Sequence, residues 1–489
     1  MRLVINKLVV LLVFIFCFFN CGKPKEKSLN ETPLNILWIN GDDLGRELAC
    51  YGNPDVKTPN MDRIAKEGVL YTNAFSTAPI CSTSRSSLIT GMYPTAVNSH
   101  DHRTSNMTEL PKGIQPITKL FQKAGYFVTN CDSKDFNTEG KQDFNFIHED
   151  LFDAFNWTER KEGQPFFAQV QIYNPHRLFV KDTINPVDPD KVTIPKCYPD
   201  HPIIRADWAA YIESVQECDR HVGRILDQLE KDGDLENTVI ILFGDHGRPH
   251  LRDKQFLYEG GLQIPLIVRY PKHVKKGTTN DALISLIDVA ATSLDIAGID
   301  VPEYMHGKVF LGEDKETRDY IYGFRQRAGD AHEDMRSIRD NRYKLIWNRT
   351  ADRPWMQLSS YKKLQYPAFA LYKILHKRGE LGEPYNQFMA DTKPEIELYD
   401  IYEDPSEFNN LANDEKFKDI KSKLFTTLKT NLVDFEKNMI HEDNATIEKA
   451  KRGSYKYYVK SLKNEKPELS PEATDEEVLK DWEERLLKK

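Results

Sequence analysis

Short apolar runs that each stop at a charged or imidazole-bearing turn are the feature that most constrains this chain. The run Asn35-Ile-Leu-Trp-Ile-Asn40 is nearly continuous in apolar, β-branched and aromatic residues, the pattern of a central strand buried on both faces. It ends at Gly41-Asp42-Asp43, which places two carboxylates just past the strand. Residues 126–130 lead to Asp132-Ser-Lys134, residues 166–173 end at Asn174-Pro-His176-Arg177, and residues 238–243 end at Gly244-Asp-His-Gly247. Helical segments at 58–68, 117–124 and 206–229 alternate with these strands. The alternation predicts an α/β fold, a mostly parallel sheet sandwiched by helices. Such a sheet gathers its strand ends on one edge, where α/β folds bind ligands. One Asp or His in a loop is ordinary solvated chemistry; four strand exits sharing that chemistry predict a single site.

A further strand at 69–75 leads into Cys81-Ser-Thr-Ser-Arg85 and on to Leu88-Ile-Thr-Gly91, a thiol at the start of a helix whose N-terminus can hold an anion. By itself this run also reads as a buried cysteine in a Ser/Thr-rich helix start. Several carboxylates with an imidazole suit Ca²⁺, or Mg²⁺ as second choice, better than zinc. Lys and His groups beside them suit a tetrahedral anion, and the two together point to phosphoryl or sulfuryl transfer.

The N-terminus reads as a targeting segment. Arg2 and Lys7 precede an apolar stretch at 8–19 that is short for a membrane span, and Cys21-Gly22 follows with a polar linker at 22–32. Residues 1–21 are therefore expected to be a signal peptide with a lipidation site at Cys21, resembling a bacterial lipoprotein. The chain would be exported and held on a membrane through a lipid anchor; simple secretion and an uncleaved anchor are the alternatives. The net charge of -8, with no basic face evident, argues against nucleic acid as a partner. Beyond the linker, residues 33–315 read as the catalytic domain. Residues 316–489 read as a smaller α+β subdomain with an antiparallel sheet, in strand-like pieces at 336–340, 343–347 and 397–400, and a charged helical tail. Residues 351–394 resist assignment.

The Cys81 run resembles the signature of the type I, formylglycine-dependent sulfatases of the alkaline phosphatase superfamily. Matching motifs recur along most of the chain: Asn40-Gly-Asp-Asp43, Thr58-Pro-Asn60, Pro175-His176, Gly244-Asp-His-Gly247, Lys254, Leu257-Tyr-Glu-Gly-Gly261, Pro265-Leu-Ile-Val-Arg269 and Asp404-Pro-Ser-Glu407. The resemblance implies an alkaline-phosphatase-like domain in which a separate formylglycine-generating or anaerobic maturating enzyme oxidises Cys81 to formylglycine. It implies a metal, Ca²⁺ as a rule, on Asp42, Asp43, Asp245, His246 and the modified residue 81. Arg85 would orient the aldehyde hydrate, while Lys134, His176 and Lys254 would neutralise the sulfate oxygens. His246 stands where many relatives have Asn, similar to the iduronate-sulfatase-like branch. Two positions depart from the pattern: Thr83 replaces the usual Pro or Ala, and no His follows Lys134.

His100, His102, Arg177, Arg248 and His250 flank the inferred centre and are expected to form a sugar-side pocket, since Arg and His suit carboxylated and sulfated saccharides. The predicted activity is hydrolysis of sulfate esters on a sulfated carbohydrate, an algal glycan such as ulvan or a glycosaminoglycan. A phosphodiester or phosphonate monoester hydrolase on the same fold, and a catalytically silent glycan-binding relative, are the alternatives.

Overall fold

β1 (Asn35–Gly41) is buried along its whole length, and its alternating side chains feed two separate cores. Leu37 and Ile39 point to one, Ile36 and Trp38 to the other. This is why its sequence is continuously apolar rather than alternating. The computed structural model describes residues 33–312 and 315–488. The expected signal segment at 1–21, with Cys21, and the linker at 22–32 lie outside the described residues. From Leu34 onward the chain forms one compact unit.

After β1 come α1 (Pro59–Glu67), β2 (Val69–Phe75), α2 (Cys81–Thr90), α3 (Ile117–Lys123), β3 (Phe127–Asp132) and β4 (Phe166–Ile172). They are followed by α4 (Pro202–Asp232), β5 (Thr238–Gly244), the single turn α5 (Glu259–Leu262), β6 (Gln263–Arg269), β7 (Thr278–Ser285) and α6 (Ile287–Ala297). The seven strands form one sheet in the order β3-β4-β1-β5-β6-β2-β7. β6 runs antiparallel to both of its neighbours, and the other pairings are parallel. The C-terminal ends of β1, β2, β3, β4 and β5 therefore share one edge, as the alternation predicted. Of the helices, α1 and α4 cover one face, while α2, α3 and α6 cover the other. α4 starts four residues before the expected helix, because Pro202 occupies its first position and the His201 ring accepts from Ile203 N–H at 3.2 Å.

Beyond Asp300 the chain builds β8 (Ile321–Arg325), β9 (Met335–Arg339), β10 (Tyr343–Asn348), α7 (Ser360–Gln365), α8 (Pro367–Arg378), β11 (Ile396–Asp400), α9 (Lys418–Phe435), α10 (Asn444–Glu465) and α11 (Asp475–Leu486). The expected antiparallel sheet has the order β11-β10-β9-β8. Its first strand carries Gly323 at the centre, where a Cβ would lie 2.4 Å from Ser337 Oγ, and this glycine hides the strand from a propensity reading. The unassigned stretch 351–394 contains α7 and α8. Pro367 interrupts their periodicity, and Tyr366 ends one helix while preceding the other. Nor is the C-terminal tail a solvated charge run throughout. Val478, Leu479 and Trp482 of α11 join the core that holds Phe369 and Leu371 of α8. No helix among the described residues is long and apolar enough to cross a membrane.

Candidate active site

α2 begins at Cys81 itself, so the free N–H groups of its first turn and the positive end of its dipole surround the thiol. All ten of its residues are buried despite six serine and threonine hydroxyls. The burial is affordable because the helix satisfies itself: Ser86, Ser87 and Thr90 donate to the carbonyls of Ser82, Thr83 and Ser86 at 2.6, 3.0 and 2.8 Å. Ser84 Oγ donates to Asp245 O at 2.5 Å, tying α2 to the exit of β5, and Gly91 ends the helix in the left-handed conformation at φ 65.

Three strand exits converge on Cys81. The exit of β1 supplies Asp42 and Asp43, that of β5 supplies Asp245 and His246, and that of β4 supplies His176. Cys81 Sγ lies 3.7 Å from Asp43 Oδ1, 3.3 Å from His246 Nε2 and 3.5 Å from Lys254 Nζ. Asp43 adopts φ 65, an unfavourable conformation for a residue with a side chain, and its N–H is held by Asp245 Oδ1 at 3.0 Å. Gly244 and Gly247 are required by close backbone approach, since a Cβ on either would come within 2.1 Å of a carbonyl oxygen, of Leu44 and Gly260 respectively.

Positive charge meets the three carboxylates. Arg85 contacts Asp245 Oδ2 at 3.0 Å and Asp42 Oδ1 at 3.2 Å, and donates to Gln171 Oε1 at 2.5 Å. Lys254 Nζ donates to both oxygens of Asp43, at 2.7 and 2.8 Å. Burial alone would raise the Asp42 carboxyl, but the Lys141 and Arg85 charges outweigh it and hold it well below the ordinary carboxylate range. Asp43 is likewise lowered, burial being overcome chiefly by Lys254. Burial disfavours a charged Lys254, yet Asp43 keeps its ammonium well above the usual value.

The residues fit a metal. Asp43, Cys81 and His246 present ligand atoms within 4.8 Å of one another, as do Asp42, Cys81 and Asp245. Asp42 Oδ1 is buried and, apart from its ion pair with Arg85, has no hydrogen-bond partner. His246 donates from Nδ1 to Gly247 O at 2.8 Å, which turns Nε2 toward Asp43 Oδ1 at 2.9 Å. A ring nitrogen fixed by a backbone carbonyl is the usual support of a metal-bound histidine. Burial opposes charge on this ring, but Asp245 and Asp43 raise its pKa well above normal. A cation is thus demanded between Nε2 and the carboxylates, be it a proton or a metal ion.

The expected Lys134 is corrected. Residues 132–139 turn back along β3, with Asp132 N donating to Thr138 O at 3.0 Å and Gly140 N to Asn130 O at 3.2 Å. Lys134 is left exposed on the outside of that turn. Lys141 enters instead, with Nζ 2.8 Å from Asp42 Oδ2. No periodicity marks Lys141 in the sequence, whereas Gln171, a polar residue inside an apolar strand, could have been noticed.

The centre lies on the floor of a cleft of about 700 Å³, whose inner wall includes His102, Arg103, Tyr173, His176, Lys254 and Tyr361. His176 donates from Nδ1 to Arg177 O at 2.5 Å, leaving Nε2 4.0 Å from Asp43 Oδ2; burial lowers its pKa, and Asp43 offsets part of that. Of the five expected sugar-side residues only His102 lines this cleft, with Nδ1 2.7 Å from Ser82 Oγ. The other four are corrected. Arg177 is locked by Asp207 at 2.7 and 2.6 Å between the Phe179 and Tyr366 rings, and Arg248 is held by Glu47 and Asp253 at 2.6 and 2.8 Å. His250 sits among the Phe179, Tyr198, Trp208 and Tyr211 rings, and His100 is buried with its pKa lowered by burial to about 4. Opposite charge and aromatic packing took these side chains out of solvent.

The family model for sulfatases matches residues 34–299, and that for the C-terminal region of N-sulphoglucosamine sulphohydrolase matches residues 244–362. An ulvan-active sulfatase of Formosa agariphila is 30% identical, over 84% of this chain and 78% of the relative. The chain belongs to the sulfatase family. As a sulfatase it is a sulfuric ester hydrolase, and the family as a whole employs a metal and formylglycine. The human N-sulphoglucosamine sulphohydrolase is 26% identical, over 79% of this chain and 87% of that one. A structure described as a complex with its substrate D-glucosamine-2-N,6-O-disulfate superposes with a TM-score of 0.57 at 21% identity, covering 83% of this sulfatase and 99% of that chain. That likeness supports the alkaline-phosphatase-like fold.

Lys141→Ala is expected to lower kcat/KM for sulfate ester hydrolysis by roughly 10²–10³-fold, the usual loss of one preorganised electrostatic contact. Lys134→Ala should stay within about threefold, since an exposed charge contributes little; steady-state kinetics on both variants checks the assignment.

Proposed function

We propose that this sulfatase removes sulfate from a sulfated glycan or its oligosaccharides, with residue 81 as nucleophile after conversion to formylglycine and Ca²⁺ as the metal. The observation that carries the reading is the position of Cys81 at the floor of the cleft, within 3.7 Å of Asp43, His246 and Lys254 together. Asp42, Asp43, Asp245, His246 and residue 81 would hold the ion, an oxygen-rich set that suits Ca²⁺. Bound there, the ion and the oxidised residue would supply Lewis-acid polarisation and an activated hydroxyl.

The chain's own groups do the rest. Arg85 fixes Asp42 and Asp245 in place through its ion pairs with them. Lys141 and Lys254 bring positive charge to where the ester oxygens gain negative charge, inside a site that excludes most water. Nε2 of His176 faces the site, and the doubly protonated ring, which burial disfavours and Asp43 favours, would give a proton there to the departing sugar alcohol. Similarity to an ulvan-active sulfatase and to a human N-sulphoglucosamine sulphohydrolase supports a saccharide substrate. The hydrophobic run before Cys21 supports export and a lipid anchor.

Protein co-expressed with a maturating enzyme should release sulfate from at least one member of a panel of sulfated oligosaccharides. The Cys81→Ser variant should lose roughly 10³-fold or more in kcat/KM. A wild-type preference for phosphate over sulfate esters, or an unmodified Cys81 by mass spectrometry, would overturn the reading. Chelation should lower activity and the melting temperature together. Ca²⁺ at about 100 times its Kd should restore about 2.7 kcal/mol of stability, and Asp245→Asn should abolish that gain. In the native host, Cys21→Ala should move the protein from the membrane to the soluble fraction.

A further inference from the structure

The cleft over Cys81 does not end at its inner wall. Its outer wall is α10, the helix of the charged tail, which contributes Lys449, Arg452, Lys456 and Tyr457. A second cavity of about 1150 Å³ opens on the far side, and Asp330, Ser360, Arg452 and Lys456 line both. The two spaces therefore adjoin along α10, one over the catalytic centre and the other just beyond it, as neighbouring parts of an outer groove.

The charge on this wall is unusual. Lys449, Arg452 and Lys456 fall at i, i+3 and i+7, so helical periodicity puts them on one face over a rise of about 10 Å. All three are exposed, and none forms a hydrogen bond or ion pair with any described residue. Their neighbours behave otherwise, since Lys451 pairs with Glu448 at 2.7 Å. The two acids in the groove lining are already engaged, Glu448 by that lysine and Asp330 by Ser360, whose N–H lies 2.9 Å from it. Three like charges along one face weaken a helix, and Glu448, whose carboxyl pKa Lys451 lowers most and Arg452 also lowers, is bonded to Lys451 instead. Meanwhile the opposite face of α10 is anchored, with Tyr458 and Leu462 buried against Leu364 of α7. The groove also exposes flat apolar surface, with Tyr455 and Tyr457 about half accessible and Leu358 at 65%.

We infer that the outer groove beneath α10 is a second saccharide subsite, which takes a neighbouring sulfated or uronate residue of the same glycan while the target ester sits over Cys81. The inference rests on the glycan sulfatase reading above and adds to it a length requirement. A cation ladder of about 10 Å is longer than one sulfate group, so it is matched by a polyanion with repeating charge. The tyrosines offer faces on which sugar rings can lie. The sulfatase would accordingly act on oligosaccharides in preference to monosaccharide sulfates.

The test uses the full-length, matured protein with size-fractionated di- to octasaccharides of ulvan, heparan sulfate and chondroitin sulfate, and an aryl sulfate as the smallest substrate. Wild-type kcat/KM should rise with chain length in at least one series, through KM, and raised salt should erase the rise. In the double variant Arg452→Glu, Lys456→Glu the loss of kcat/KM should grow with length, reaching roughly tenfold more for an octasaccharide than for the aryl sulfate. The charge-conserving Arg452→Lys, Lys456→Arg pair should recover most of it. Circular dichroism and melting of the charge-reversed protein separate a lost subsite from a lost fold. Calorimetric binding of the same oligosaccharides to a Cys81→Ala protein reads the groove without catalysis. Affinity that grows with length in a protein whose matured form releases no sulfate would keep the subsite and sink the proposed reaction. Sulfate release with equal kcat/KM at every length, or an equal loss at every length in the charge-reversed variant, overturns the subsite.

Discussion

Three aspartates can share a buried pocket only when positive charge is brought to them, and the architecture is arranged around that demand. Asp42, Asp43 and Asp245 are met by Arg85 from α2, Lys141 from the turn after β3 and Lys254 from the loop after β5. At an effective dielectric near 20, each unit-charge contact at about 4 Å is worth about 4 kcal/mol. These groups come from the exits of β1, β3 and β5 and from α2, so the site exists because parallel strands end together. β1 sits at the middle of that edge and passes Asp42 and Asp43 into the pocket from a strand that both cores hold rigid.

Much of this was legible in the chain. The α/β alternation, the strand ends bearing Asp42, Asp43, His176, Asp245 and His246, and the helix start at Cys81 are all local signals, and the structure unites them. What was not legible depends on long-range choice. Arg177, Arg248 and His250 sit close in sequence to the site residues, and the residue types suited a sugar; Asp207, Glu47, Asp253 and a ring of aromatics claimed them instead. Lys134 and Lys141 are seven residues apart on one loop, and only the way that loop folds back on β3 decides which one faces Asp42. The cation ladder of α10 illustrates the same limit, for a charge run in a tail reads as a solvated face until its position over the cleft is seen.

The two sheets divide the work. The large sheet carries the charge cluster, while the elements beyond Asp300 decide what can approach it. α7, the loop before it and α10 lie around the mouth of the cleft, and their own packing against α8 and α11 belongs to a separate core. Selectivity for the body of a substrate can therefore change through the C-terminal part of the chain while the centre at the strand ends stays as it is.

The self-satisfied hydroxyls of α2 carry a consequence for the order of events in the life of the protein. Because its hydroxyls find partners within the protein, the helix is buried along its length, and Cys81, at the floor of the cleft, is 2% exposed in the folded chain. Another enzyme cannot grip a segment that is both coiled and enclosed. On the formylglycine reading proposed above, oxidation of that thiol would come before folding, while residues around 81 are still extended. Folding speed would then set a deadline, since a chain that closes α2 too early would be folded without its nucleophile.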